Sequence, residues 1–244
     1  MSNPSAAMLV IGDEILSGRT QDTNTNHLAV SLTNAAIDLK EVRVVSDDQA
    51  QIVAAVNELR ARWDNVFTSG GIGPTHDDIT ADAMAVAFGV GISVRDDARA
   101  ILQTRSDMLG IELNEARLRM ARIPDGAVLI DNPVSGAPGF SIENVHVMAG
   151  VPAIFKAMVA TVLPTLTGGM PVISKTVRLD MPEGEIAAPL GELAKRFSEV
   201  SMGSYPFVLA GRFGTNIVLR SSDTDLLAAA FDAFIVLFPN GQPQ

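Results

Sequence analysis

Through the first two thirds of the chain, short apolar runs alternate with longer segments that are apolar along one face, and this alternation restricts the fold more than any other feature. Met8 to Ile11 is an apolar run closed by Gly12, the pattern of a buried strand. "DTNTNHLAVSLTNAA" follows, with a polar start suited to N-capping and apolar positions at Leu28 and Leu32. "DLKEVRVVSDD" reads as a second strand and "DDQAQIVAAVNELRARW" as a capped helix, with Ile52, Val53, Val56 and Leu59 on one side. "NVFTS" is a third strand, and "ADAMAVAFGV" a helix stopped near Gly89. Helical segments continue through "DDARAILQTRSDMLG" and "NEARLRMARI". The strands "AVLIDN", "GFSIEN" and "VHVMAG" come next, and a helix over "VPAIFKAMVATVLPTL" with Pro152 in its first turn. Such an order predicts an α/β domain, a mostly parallel sheet with helices on both faces.

"TGGMP" cannot continue a helix and marks a linker, which places one domain over residues 1–168 and a second over 169–244. The second part reads as a small α+β module of β-α-β-β-α order: "VISKTVRLD", "EGEIAAPLGELAKRF", a short strand near "EVSMGSY", "NIVLRSS" and "DTDLLAAAFDAFIVLF".

Composition narrows the function classes. A formal net charge of -10, with no basic block, argues against a nucleic-acid or anionic-membrane partner held by overall charge. The absence of cysteine excludes thiolate catalysis and cysteine zinc sites. The amino end has no basic n-region, and no apolar run is long enough to span a bilayer, so the expected location is the cytoplasm. The three histidines lack zinc-site spacing, and Arg117, Arg119 and Arg122 on one helix read as a phosphate clamp or, the favoured reading, as a solvated face.

The stretch "TSGGIGPTHDDIT" carries the most chemistry. Gly70, Gly71 and Gly73 follow a strand and precede a helix, so backbone amides and the helix N-terminus form an anion site suited to phosphate. The loop has no lysine and is not a Walker motif; His76 stands where a dinucleotide fingerprint needs its last glycine. Two adjacent carboxylates, Asp77 and Asp78, would repel phosphate. One is expected to cap the helix and the other to meet a hard cation. Asp13 and Glu14, and Asp47 and Asp48, are similar pairs after strand ends. Acidic groups from three strand ends on one sheet edge suit a metal–phosphate pocket.

The strings "GDEILSGRTQDTNTNHLA", "VVSDDQAQIVAAV", "TSGGIGPTHDDIT", "NPVSGAPGF" and "MAGVPAIFKAM" together resemble the MoaB/Mog superfamily of molybdopterin-binding domains. They are most similar to the amino-terminal part of the competence/damage-inducible protein A (CinA) family, and the tail resembles the KH-like module that follows it there. The resemblance implies a ligand of the nucleotide-diphosphate or molybdopterin class and a divalent metal, Mg, Mn or Co. By the same resemblance Asp47 and Asp78 act as metal-binding and catalytic residues. Gly70, Gly71, Gly73 and Thr75 hold phosphates, while Asp13, Asp77, Ser135, Gly136 and Gly150 belong to the rest of the cofactor-binding pocket. The implied activity is pyrophosphatase action on ADP-ribose or FAD, with molybdopterin adenylyl transfer and non-catalytic binding as alternatives. Assembly as a dimer or trimer is implied as well. Two turns depart from the family pattern: Ala149 replaces a proline, and Ala36 stands where a turn glycine is expected. The amidase domain of full CinA proteins has no counterpart in these 244 residues, so nicotinamide-nucleotide deamidation is not expected of them.

Overall fold

The computed structural model describes residues 3–209 and 211–244. Its contacts divide the chain into two compact units, Met1–Gly169 and Met170–Gln244. The expected boundary at 168/169 and this one differ by a single residue.

In the first unit, β1 (Ser5–Ile11) leads through a one-turn helix, α1 (Asp13–Leu16), into α2 (Asn24–Asn34). Then come β2 (Asp38–Val45), α3 (Gln49–Arg62), β3 (Asn65–Ser69) and α4 (Thr80–Phe88). After β4 (Ile92–Val94), α5 (Asp96–Leu109) and the short α6 (Glu115–Leu118), the chain forms β5 (Arg122–Pro124), β6 (Val128–Ile130), β7 (Gly139–Ile142), β8 (Val145–Met148) and α7 (Pro152–Val162). The main sheet has the order β2-β1-β3-β8-β7-β6. Strands β2, β1, β3 and β8 are mutually parallel, while β7 runs antiparallel to both β8 and β6.

Side-chain alternation along β1 explains why both faces need cover. Ala7, Leu9 and Ile11 join one core with Ile52, Val56 and Leu59 of α3, Met84 of α4 and Leu102 of α5. Ala6, Met8 and Val10 face the other way, into a core with Leu28 and Leu32 of α2 and Phe155 and Met158 of α7. All six β1 side chains from Ala6 to Ile11 are at most 2% exposed, as a strand covered on two sides requires.

Several local expectations need correction. "NEARLRMARI" is not one helix: α6 ends after four residues, a 3₁₀ turn spans Arg119–Ala121, and Arg122–Pro124 becomes β5, paired antiparallel with β4. Tertiary pairing with β4 overrides a weak local helix preference there. Ala36, the residue in place of the expected glycine, adopts the left-handed conformation at φ 55°.

The second unit comprises β9 (Ile173–Leu179), α8 (Glu183–Arg196), β10 (Ser201–Leu209), β11 (Arg212–Ser221), α9 (Thr224–Leu237) and β12 (Gln242–Pro243). Its antiparallel sheet has the order β10-β11-β9-β12. Val177, Ile217 and Leu219 from the sheet meet Ile186 and Leu190 of α8 and Leu227 and Phe234 of α9. Strand β12 extends the expected β-α-β-β-α order by one short strand. Among the described residues no helix is long and apolar enough to cross a membrane.

Candidate active site

Four parallel strands deliver their carboxyl ends to one edge of the first sheet. Ile11 of β1 is level with Val45 of β2, Val10 with Ser69 of β3, and Ser69 with Met148 of β8. The segments that follow these ends carry Asp13, Asp47, Gly70 and Gly150. A parallel sheet places ligands at this edge, because its strands stop there and the loops diverge.

The glycine turn after β3 is built for close backbone packing. Gly70 has φ 112°, and a Cβ placed on it would lie 2.1 Å from the Ile11 carbonyl oxygen. Gly71, at φ 69°, would set a Cβ 2.1 Å from Thr80 Oγ1. Thr80 is fully buried; its hydroxyl donates to the Gly70 carbonyl at 3.0 Å and its amide to the Gly71 carbonyl at 3.0 Å. The first residue of α4 therefore clamps the turn. Gly150 approaches from β8, its Cβ position 3.3 Å from Gly70 Cα.

A cleft of about 550 Å³ opens over this floor. Its lining includes Glu14, Gly70, Gly71, Gly73, Asp78, Ser135 and Gly150 among polar and backbone groups, and Ile72, Met120, Val151 and Ile154 among apolar ones. The volume suits a drug-sized or nucleotide-sized ligand, and mainly apolar walls with few polar groups suit a planar ring. Among the described residues no lysine or arginine lines it.

Asp78 does not cap α4. The residue before that helix is Ile79, which makes no side-chain cap, and Asp77 does not cap it either. Instead Asp78 Oδ2 accepts from the Thr75 amide at 2.8 Å and from the Thr75 hydroxyl, closing a small turn beside Gly73. Asp48, by contrast, caps α3, accepting from the Gln51 amide at 2.9 Å. That leaves Asp47 free of capping. Its Oδ2 accepts from the Asp13 amide at 3.0 Å. Partial burial pushes the Asp47 carboxyl above its ordinary range, and the carboxylates of Asp13, Glu14 and Asp77 push it further the same way.

Of the residues singled out from sequence, Gly70, Gly71, Gly73, Asp78, Ser135 and Gly150 come together on the cleft lining. Asp13, Asp47 and Asp77 do not line it; they form an acidic group around Asp47 that adjoins it through Glu14. Thr75 stands behind Asp78. Gly136 is also off the lining: at φ 82° it turns the loop, with its Cβ position 3.0 Å from Arg105 Cγ. His76 is almost wholly exposed.

Sequence reading missed two organising asparagines. Asn24, 5% exposed, donates to Ser69 Oγ at 2.8 Å and to the Gly150 carbonyl at 2.7 Å, fixing both floor loops. Asn132, 3% exposed, accepts from the amides of Val134 and Ser135 at 3.1 Å each and donates to Ser135 Oγ at 2.5 Å and the Ala137 carbonyl at 2.8 Å. The Asn-Pro dipeptide at 132–133 was the available signal for the second; nothing local distinguishes the first.

The acidic group around Asp47, which does not include Asp78, is of the donor type that hard divalent cations take. Every side chain in the acidic group offers only oxygen, and the mutual repulsion at Asp47 is what such a cation relieves. Among the described residues no three metal-ligating side chains converge into a cage. Magnesium-type sites need none, since one or two carboxylates with phosphate and water complete their shell.

Residues 7–168 match the sequence family described as probable molybdopterin binding domain. The chain belongs to that family. Residues 171–243 match the family described as FAD synthase, middle domain. A CinA-like protein of Citrifermentans bemidjiense is 41% identical over 167 residues, which cover 66% of this chain and 40% of that one. A protein of Pyrococcus furiosus is 31% identical over 239 residues, covering 93% and 94% of the two chains. Among solved structures, the CinA protein of Thermoplasma acidophilum superposes with a TM-score of 0.62 at 32% identity, over 68% of this chain and 99% of that one. The molybdopterin-binding domain described here is thus CinA-like in sequence and in fold. It spans less than half the length of the Citrifermentans protein.

Proposed function

We propose that this CinA-like molybdopterin-binding domain binds a nucleotide diphosphate in the cleft and hydrolyses its phosphoanhydride bond, as a metal-dependent pyrophosphatase of the ADP-ribose or FAD class. The observation that carries the reading is the floor of the cleft. Glycine backbone from two strand ends is exposed beside Asp78, with the acidic group around Asp47 adjoining. The Gly70 amide is spent on the Met148 carbonyl at 3.1 Å, so the amides that suit phosphoryl oxygens are those of residues 71–73, where side chains on the glycines would crowd the turn. Ile72, Met120 and Ile154 offer apolar surface to a base or a fused ring system.

Asp47 and Asp78 are the residues that would hold Mg, Mn or Co. Such an ion neutralises diphosphate charge and lowers the pKa of bound water. The protein's own contribution is orientation: the Asp13 amide fixes one oxygen of Asp47, and Thr75 fixes one oxygen of Asp78. Each carboxylate keeps its other oxygen for a ligand.

The direct test is release of AMP from ADP-ribose and from FAD with each of the three ions. Asp47→Asn and Asp78→Asn should each abolish it while leaving the fold intact. No turnover of either substrate with any ion would refute the hydrolase reading. Adenylylated pterin formed from ATP and molybdopterin would assign transfer instead. Thermal stabilisation by AMP without cleavage of any substrate would assign a binding module.

A further inference from the structure

We infer that Arg119 binds the phosphate-bearing end of the nucleotide, serving as the cationic side chain that the cleft otherwise lacks; this rests on the nucleotide reading proposed above. A diphosphate seated on the glycine turn brings negative charge to a cleft whose own ionisable lining groups are Glu14 and Asp78, both acidic. Backbone amides and a cation answer part of that charge. A guanidinium answers it with directional donors, and its planar fork matches phosphate oxygens.

Of the arginines on the segments that flank the cleft, Arg19, beside the lining residue Thr20, is exposed, and Arg105, Arg117 and Arg122 are committed elsewhere. Arg122 forms a two-pronged pair with Asp82 at 2.5 and 3.0 Å. Arg105 donates to the Val134 carbonyl at 3.0 Å, although its Nε is also buried without a partner, and Arg117 donates to the Glu112 carbonyl at 2.6 Å. Arg119 makes no ion pair among the described residues. Its one hydrogen bond is long, 3.5 Å to the Asp78 carbonyl, and its Nε is buried without a partner. A buried guanidinium nitrogen left unpaired is costly, and such groups in folded proteins call for a ligand or another explanation.

Its position supplies that ligand. Arg119 lines a small recess together with Gly71, Ile72, Gly73, Asp78 and Met120. Those five residues also line the main cleft, so the recess opens onto the same glycine turn. Arg119 and Met120 belong to the 3₁₀ turn Arg119–Ala121, which leads directly into β5.

The test compares phosphate-bearing and phosphate-free ligands by calorimetry on wild type, Arg119→Ala and Arg119→Lys, each with Mg²⁺ present. For wild type, AMP should bind more tightly than adenosine, and inorganic pyrophosphate should bind measurably. In Arg119→Ala, AMP and pyrophosphate should weaken about tenfold or more while adenosine is unchanged, as loss of a charge-assisted contact predicts. Arg119→Lys should recover part of the phosphate-dependent gain, because it keeps the charge and loses the fork. A merely structural Arg119 would weaken adenosine equally and lower the melting temperature of the free protein. Equal AMP and pyrophosphate binding by wild type and Arg119→Ala overturns the role of Arg119 while leaving the nucleotide reading standing. If wild type binds neither AMP nor pyrophosphate, the nucleotide reading itself falls, and this inference with it.

Discussion

Acidification from pH 7 to pH 5 should weaken the first unit through a single buried imidazole, His146. It sits on β8, 6% exposed, with Nδ1 2.9 Å from Ser141 Oγ and its ring 5.0 Å from that of Phe67. Burial holds it down to about 4 from an ordinary 6.5. A histidine with a depressed folded-state pKa stays neutral in the fold while the unfolded chain takes up a proton. Stability from this group is therefore complete above pH 6.5 and is lost as pH falls toward 4. The whole difference corresponds to about 3 kcal/mol, at 1.36 kcal/mol per unit. At pH 5 about 2 kcal/mol of it is already gone, a melting-temperature loss of roughly 4–8 °C. Other groups also titrate, so the informative comparison is with His146→Gln, which cannot. Calorimetric melts of the two proteins between pH 7 and 4.5 should show a shallower decline in the variant, although it starts less stable. An NMR titration gives the independent check: the His146 ring signals should move near pH 4. Movement near 6.5 in the folded protein, or parallel pH profiles for the two proteins, would refute the argument.

Gly70→Ala should cost on the order of 4 kcal/mol, because its Cβ meets a backbone carbonyl at 2.1 Å and its φ of 112° is glycine territory. Gly18→Ala, with open space around it at φ 71°, isolates the conformational part and should cost about 1 kcal/mol; equal losses in chemical denaturation would contradict the packing account. Ala36→Gly should stabilise by about 0.5–1 kcal/mol, since alanine there holds φ 55°; a loss on denaturant titration would mean its buried methyl matters more. Asp47→Asn should raise stability at pH 7 by about 0.5 kcal/mol or less, as this half-exposed group is screened by water. The sign follows from its raised folded-state pKa: the penalty exists above that pKa and vanishes as pH falls below 3.8, so the variant's advantage should fade in acid melts. Millimolar Mn²⁺ with AMP should raise the melting temperature of wild type more than that of Asp47→Asn, and equal shifts would remove Asp47 from the metal assignment.

The sheet was legible from sequence because β1 is an apolar run cut off by glycine, β3 and β8 are short segments that end at or next to one, and the helices between them carry apolar faces matched to two cores. The edge at which the strands end followed from parallel topology, which places Gly70, Gly71, Gly73 and Asp78 together there; Gly150 joined them only through the family resemblance. Local pattern did not reveal how side chains would be spent. Asp48 caps a helix and Asp78 does not, although both are aspartates beside a helix start, because Thr75 offers Asp78 a closer pair of donors. The β4–β5 pair was invisible for a similar reason: three-residue strands draw their stability from a partner that lies far along the chain. Asn24 matters through contacts across the fold, of which a single sequence carries little trace, whereas Asn132 acts within its own loop, where the Asn-Pro dipeptide was a signal.

The contact between Gly70 and Gly150 limits how this domain can diverge. A Cβ on Gly150 would lie 3.3 Å from Gly70 Cα and one on Gly70 would meet the Ile11 carbonyl oxygen at 2.1 Å, so neither glycine accepts a side chain without displacing the backbone beside it. New ligand preferences are therefore confined to the rim, at positions such as Met120, Ala137, Val151 and Ile154, where side-chain volume can change without disturbing the strands beneath. Evolution or design aimed at another ring system would leave the base of the pocket untouched and work from its sides.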